Sequence, residues 1–194
     1  MIESADAPVS TDARARIVDA GVRCIAHEGV AGASMAAIAA AARVSKALLH
    51  YHYHDRATLL AEIVERIGVR TIERERAAID SNGGVGGLDA LWQWLDGELR
   101  RGELAALAEL ALVREAQVRR ATRTVASERR QHATRTIERL FAELDLTPQV
   151  PAPLMADAAV AFVDGLALDV ANGSAREPRI SYDVFWLALL GLTE

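Results

Sequence analysis

Cysteine is nearly absent from this 194-residue chain. Cys24 stands alone, so no internal disulfide can form and nothing argues for an oxidising compartment. Cys24 reads as a small core residue. Lysine is equally scarce: Lys46 is the single example, and the other 21 basic residues are arginines. No run of about 18 apolar residues occurs, which excludes an evident membrane-spanning helix. The opening MIESADAPVSTD is acidic and polar, unlike a secretory signal, and residues 1–11 read as a disordered arm. No region alternates with period 2, and no repeat or low-complexity block is present. There is no nucleophile elbow, phosphate loop or zinc motif, so neither an enzyme nor a cofactor is expected. Asp164 and Asp169 fall on faces expected to be solvated.

What is present suits a helical globule. Hydrophobic residues make up 51% of the chain, ample for a core, and charged residues 25%, ordinary for a soluble protein. The net charge is −5. Residues 1–60 carry six basic and six acidic side chains, the remainder 16 and 21. The acidic excess therefore lies wholly in the second part, while four of the five histidines lie in the first. Nucleic-acid binding would need a local positive face, with few phosphate contacts and a moderate salt dependence.

The 3.6-residue spacing of apolar positions predicts a helix from about Asp12 to His27, with Ile17, Ala20, Gly21 and Cys24 on one face and Gly29 as its stop. A fourth helix is predicted from Arg56 to about Asp80, apolar at Leu60, Ile63, Val64, Ile67 and Thr71, with a charged, solvated far end. Residues 81–87, Ser-Asn-Gly-Gly-Val-Gly-Gly, read as a flexible loop. Further helices are expected at about 88–101, 103–116, 118–144, 153–172 and 182–190, with all five prolines outside them. Helix 4 would be the only element joining both parts.

The organising stretch is Ser34 to Arg56. Ser34 and Ser45 are good N-caps for two short helices separated by a turn at Arg43 and Val44. Asp55 caps the next helix. His50 and His54 are spaced i,i+4, as two metal ligands on one helix face would be, but no third ligand is near and Asp55 is better used as a cap. No metal is expected. The sequence Ile38-Ala39, Val44-Ser45-Lys46, Leu49, Tyr51-His52-Tyr53, Leu59-Leu60 resembles the DNA-binding signature of the tetracycline-repressor (TetR) family. The likeness runs from about residue 12 to 60, upstream through Ile17-Val18-Asp19-Ala20-Gly21 and Glu28-Gly29-Val30. It implies an all-α fold: a helix-turn-helix domain over residues 12–55, then a larger ligand-binding and dimerisation domain over 56–194, about nine helices in all. By this resemblance Ser34, Arg43, Ser45, Lys46, Ala47, Leu48, His50, Tyr51, His52 and Arg56 are the expected DNA-contacting set, with Tyr53 packed beneath them. The chain departs from the family at Arg43, where Gly is usual. An Arg there at φ > 0 would cost about 1 kcal/mol, unless the turn is built differently.

Within the helix from Val118, Thr122, Arg129 and Thr136 recur at intervals of seven inside an apolar face, with His132 on its edge. Polar groups on such a face point either to a cavity for a small molecule or to an exposed stretch in which Arg129 pairs with an acid. TetR-like proteins hold an effector pocket between the helices after the DNA-binding domain, which favours the cavity, with Trp92, Trp94 and Phe162 as wall residues. The last two helices read as an interface: Ala158, Ala161 and Gly165 form a small-residue strip, and Phe185, Trp186 and Leu189 belong to a final helix apolar all round. The expectation is a cytoplasmic, homodimeric, ligand-responsive transcription regulator. It would be a repressor bound to a two-fold symmetric operator on double-stranded DNA and released by a small apolar effector. The competing reading is a helical protein-interaction module that uses the helix-turn-helix for protein contacts.

Overall fold

The structure, a computed structural model, describes residues 7–81 and 86–193, with backbone alone for residues 7–11. The described residues form nine helices and no strand. They are α1 (Ala7–Gly32), α2 (Met35–Ala41), α3 (Lys46–His52), α4 (Arg56–Asp80), α5 (Gly87–Arg101), α6 (Glu103–Ala111), α7 (Ala116–Glu143), α8 (Ala152–Ala171) and α9 (Pro178–Leu190). No helix among the described residues is long and apolar enough to cross a membrane.

Several boundaries move from the expected ones. The helix of α1 is described from Ala7 and breaks at Gly29, whose φ of 71° leaves the helical region; the rest of the expected N-terminal arm lies outside the described residues. The centre of the expected loop at 81–87 lies outside them too. Pro153 sits in the first turn of α8, where a helix was expected to start, whereas Pro8 and Pro178, expected outside the helices, fall in the first turns of the described α1 and of α9. A missing N–H costs nothing there, because first-turn amides have no intrahelical partner. The helix α6 stops at Ala111, before the expected 116.

Two hydrophobic cores organise the chain. The first gathers Ile17 and Ile25 of α1, Ile38 of α2, Leu49 and Tyr53 at α3, and Leu59, Leu60, Ile63 and Ile67 of α4. It also takes Leu107 and Leu110 of α6 and Val118, Ala121 and Val125 of α7. The second gathers Ile79 at the far end of α4, Leu91 and Leu95 of α5, Ile137, Leu140 and Phe141 of α7, and Met155, Tyr182 and Trp186 of α8 and α9. The helices α4, α6 and α7 therefore all join the two regions, where α4 alone was expected to. Side-chain contacts Thr58–Gln117, Glu75–Thr136 and Asp80–Arg139 show that α4 and α7 run side by side in the same direction. Their close approach depends on Gly68, where an added Cβ would lie 2.5 Å from Val125 Cγ1.

The far end of α4 is not the solvated tail its charges suggested. Arg74 makes a bidentate pair with Glu98 at 2.6 and 2.7 Å and reaches Glu103 at 2.6 Å, tying α4 to α5 and α6. Glu98 has no exposed surface at all.

Candidate functional site

The α2–turn–α3 unit is built by two serine caps. Ser34 Oγ accepts from the Ala37 amide at 3.1 Å and Ser45 Oγ from the Leu48 amide at 3.0 Å. Each satisfies an N–H that the helix itself cannot. Between them, the Arg43 amide donates to Ala40 and the Val44 amide to Ala39, at 3.1 and 3.0 Å. This is the Schellman closure, which places its C′ residue in the left-handed region. That residue is Arg43, at φ 55°. The turn keeps the geometry glycine would give, and the arginine bears the strain.

The reading helix α3 is fixed from below. Leu49 and Tyr53 are fully buried. The Tyr53 hydroxyl donates to Glu62 Oε2 at 2.9 Å, and Arg14 Nη2 donates to the same oxygen at 2.7 Å. Burial, reinforced by Glu62, pushes the Tyr53 phenol above its ordinary pKa, so it stays a donor. With that face sealed, Lys46, Ala47, His50 and Tyr51 face outward, Tyr51 with 74% of its surface exposed. Ser34, Arg43 and Ser45 lie exposed around them, and Leu48 and His52 are half-buried. His52 stacks edge-on against Tyr51 with ring centroids 5.3 Å apart. Arg56 departs from the expected set. Its guanidinium donates to the carbonyls of Val30 and Ala33. It is spent holding the end of α1 in place.

The second region encloses a cavity of about 60 Å³ between α4, α5, α7, α8 and α9. Of the expected ligand set, Trp94, Arg129, Thr136 and Phe162 line it. Thr122, His132 and Trp92 do not. Thr122 lies too near the start of α7 and donates to its own helix at Arg119. His132 is buried but faces a separate cleft beside Asp80 and Arg139. Trp92 packs on Tyr182 with centroids 5.3 Å apart, beneath the Arg179 guanidinium.

Arg129 is only 9% exposed and donates to Asp164 Oδ1 at 2.7 Å. Arg129 lines the cavity and also pairs with an acid, but not on an exposed stretch. Sequence reasoning missed Glu75. This carboxylate lines the cavity from α4 with 13% of its side chain exposed, and accepts from Thr136 Oγ1 at 3.1 Å. His132 Nε2 lies 3.5 Å from it but makes no hydrogen bond. Burial raises the Glu75 pKa to about 7 against the opposing pull of Thr136 and Arg129. Its signal was the α4 register: buried Gly68, Thr71 and Ile79 put position 75 on the inward face. The indole N–H of Trp94 is also buried, without a hydrogen-bond partner among the described residues.

Residues 17–69 match the family model for bacterial regulatory proteins of the tetR family. By that match the N-terminal region, within α1 to α4, is of the TetR family. No curated protein matches it. Solved structures share the architecture of this chain over nearly its whole length. A TetR transcription regulator from Haloarcula marismortui superposes with a TM-score of 0.77 at 18% identity, over 95% of this chain and 100% of that one. A Rhodococcus sp. protein assigned to the family gives 0.74 at 22% identity, over 95% and 100%. A protein of Saccharomonospora viridis described as a transcriptional regulator, in complex with choline, gives 0.75 at 21%, over 95% and 99%. At such identities the likeness is one of fold.

Among the described residues, α8 and α9 leave an apolar face uncovered. On α8, Leu154, Ala158, Ala161 and Gly165 are exposed. On α9, Ile180, Val184 and Leu187 are 57%, 61% and 70% exposed. The small-residue strip thus faces outward, as an interface would. The α9 residues expected beside it do not. Trp186 and Leu189 are buried, and Phe185 stacks on Phe162 at 4.4 Å within the chain. An all-apolar helix has no polar side to reveal its outward face, and the residues one step away, Val184 and Leu187, take that place.

Proposed function

We propose that this chain is a cytoplasmic, homodimeric repressor of the TetR family that reads a two-fold symmetric operator with α3 and leaves it when a small molecule occupies the cavity. The observation that carries the DNA-reading part is the sealed underside of α3. With Leu49 and Tyr53 in the core, the helix start at Lys46 and Ala47 and the next turn at His50 and Tyr51 are what it presents. A recognition helix offers that end to the major groove. Ser34, Arg43, Ser45, Leu48 and His52 serve as flanking contacts, while Arg56 acts by positioning.

The uncovered face of α8 and α9 is the dimer contact in this reading. Exposed Leu154, Ile180, Val184 and Leu187 form a patch that a soluble monomer would not leave open. The effector reading rests on the cavity and on the rods leading from it. From Glu75 to Arg56, α4 spans roughly 28 Å at 1.5 Å per residue. Beside it α7 runs from Thr136 to Gln117, which accepts from Thr58 at 2.9 Å. A ligand that favours one spacing of these rods shifts the population of DNA-competent dimers. The choline bound to the S. viridis protein belongs to that protein, but supports a ligand role for a fold of this kind.

Two measurements test this reading. Binding to duplex DNA should weaken moderately with salt, as a few phosphate contacts require; salt-insensitive binding, or none, would favour the protein-interaction alternative. In sedimentation the wild type should run as a dimer and Gly165→Trp as a folded monomer. Gly165 is well suited to this because an added Cβ meets nothing within 4 Å in its own chain. A wild-type monomer, or a dimer unaffected by the substitution, would contradict the proposed interface.

A further inference from the structure

The cavity lining holds one carboxylate, Glu75, and one guanidinium, Arg129. Arg129 is already given at 2.7 Å to Asp164, which lies outside the lining. Among the described residues Glu75 has no arginine or lysine within 4 Å; the one basic side chain so near is His132. Burial, then Arg135 and Arg76, holds the His132 pKa below its ordinary value, so it supplies no charge near neutrality. The walls are aromatic. Phe162 and Phe185 lie parallel, 7° between ring planes, with Trp94, Tyr182 and Trp186 around them.

We propose that the effector is a compact organic cation, a protonated amine or quaternary ammonium on an apolar body, with Glu75 as its counter-charge and the aromatic rings as its walls. This rests on the reading of the cavity as the effector site. An ionised carboxylate in an apolar enclosure is costly unless paired. A ligand cation supplies the missing partner, and ring faces attract it further once it is desolvated. An anion would meet the Glu75 carboxylate and would have to compete with Asp164 for Arg129. Size sets the scale. One water needs about 10–15 Å³ of such space, so the 60 Å³ cavity takes roughly four to six waters, or a ligand of about six to nine non-hydrogen atoms. The expectation of a merely apolar effector is thereby sharpened.

Three probes of matched size and shape decide the charge: benzylammonium, benzyl alcohol and benzoate, titrated calorimetrically into the full chain. The wild type should bind benzylammonium at least tenfold tighter than benzyl alcohol, and benzoate weakest. Glu75→Gln should bring benzylammonium and benzyl alcohol within about twofold of each other. A second measurement needs no variant. Between pH 8 and pH 6, wild-type affinity for benzylammonium should fall about tenfold as Glu75 takes up a proton, while affinity for benzyl alcohol stays level. The groups facing Glu75 are Thr136, His132 and Arg129 on α7 and Glu98 on α5, and any protonation of His132 would act in the same direction. An alkylammonium keeps its charge throughout that range. If benzoate or benzyl alcohol binds as tightly as benzylammonium, or if Glu75→Gln leaves the preference unchanged, the cation assignment fails and the effector site stands. If none of the three binds, both fail.

Discussion

The two cores differ in what they admit. The first, under the reading helix, keeps its charges at the rim: Asp19 pairs with Arg66 at 2.6 Å and with Arg70 at 2.9 Å, and Glu62 with Arg14 at 2.7 Å, all partly exposed. The second takes charge inside. Among the described residues, the buried polar and charged side chains Thr71, Glu98, Arg129, His132 and Thr136 all lie at or beyond position 71. Buried ions are a poor source of stability. Two of them, Arg129 and Thr136, line the cavity, so the second region holds polar groups where a ligand could meet them and the first does not.

The sharpest way to break this contrast is at Glu98. Glu98→Ala leaves Arg74 with Glu103 alone and removes the acceptor of Arg101. Loss of one partner of a buried pair costs about 3–5 kcal/mol, and chemical denaturation should show it. A loss like that of an exposed pair, about 0–1 kcal/mol, would mean the second core is not organised around this network.

Glu75 gives the next largest effect. Its pKa stands at about 7 in the folded chain, against roughly 4.3 when unfolded. The folded chain therefore holds the extra proton between those values. The stability this group confers is complete below about pH 4.3 and is lost as pH rises through about 7. The loss is on the order of 3 kcal/mol. Glu75→Gln should remove this component of the pH dependence, so that the variant gains on the wild type from pH 5 to pH 8. An unchanged difference between the two proteins across that range would place the ionised carboxylate in a well-solvated site.

Much of the first region was legible. Ser34, Ser45 and Asp55 announced three caps, and the i, i+3, i+4 pattern around them fixed which faces go inward. At Arg43 the sequence left open whether the turn keeps its left-handed residue, and the φ of 55° shows that it does. The second region was harder because its signals are ambiguous. Position 75 sits in a charged run and was read as solvated, although the register of Gly68 and Thr71 pointed it inward. Trp92 and Trp94 are two residues apart and leave α5 on different sides, and neither sequence spacing nor composition says which one meets the cavity. On α9, Trp186 and Leu187 are neighbours of equal hydrophobicity, and only packing against α8 decides that the first is buried and the second exposed. Arg56 entered the DNA-contacting set through the family resemblance, yet the carbonyls it holds lie at the end of α1, far away in sequence.

On the first region, Lys46→Ala should weaken operator binding by about 1–3 kcal/mol if the ammonium contacts a base, with thermal stability unchanged because the side chain is exposed. As the only lysine, Lys46 can also be acetylated selectively once the N-terminal amine is blocked, which removes its charge. Full affinity after quantitative acetylation would exclude the contact. The smallest effect belongs to the turn. Arg43→Gly relieves a residue held at φ 55° and should raise stability by about 0.5–1 kcal/mol. A loss of stability would show that the arginine makes compensating contacts.

The most direct measurement is selection of bound sites by the wild-type chain from a random pool of duplex DNA. A homodimer reading through α3 enriches an inverted repeat whose half-sites are centred one helical turn, or a multiple of it, apart. Enrichment of an asymmetric single site, or of no site at all, would contradict the account.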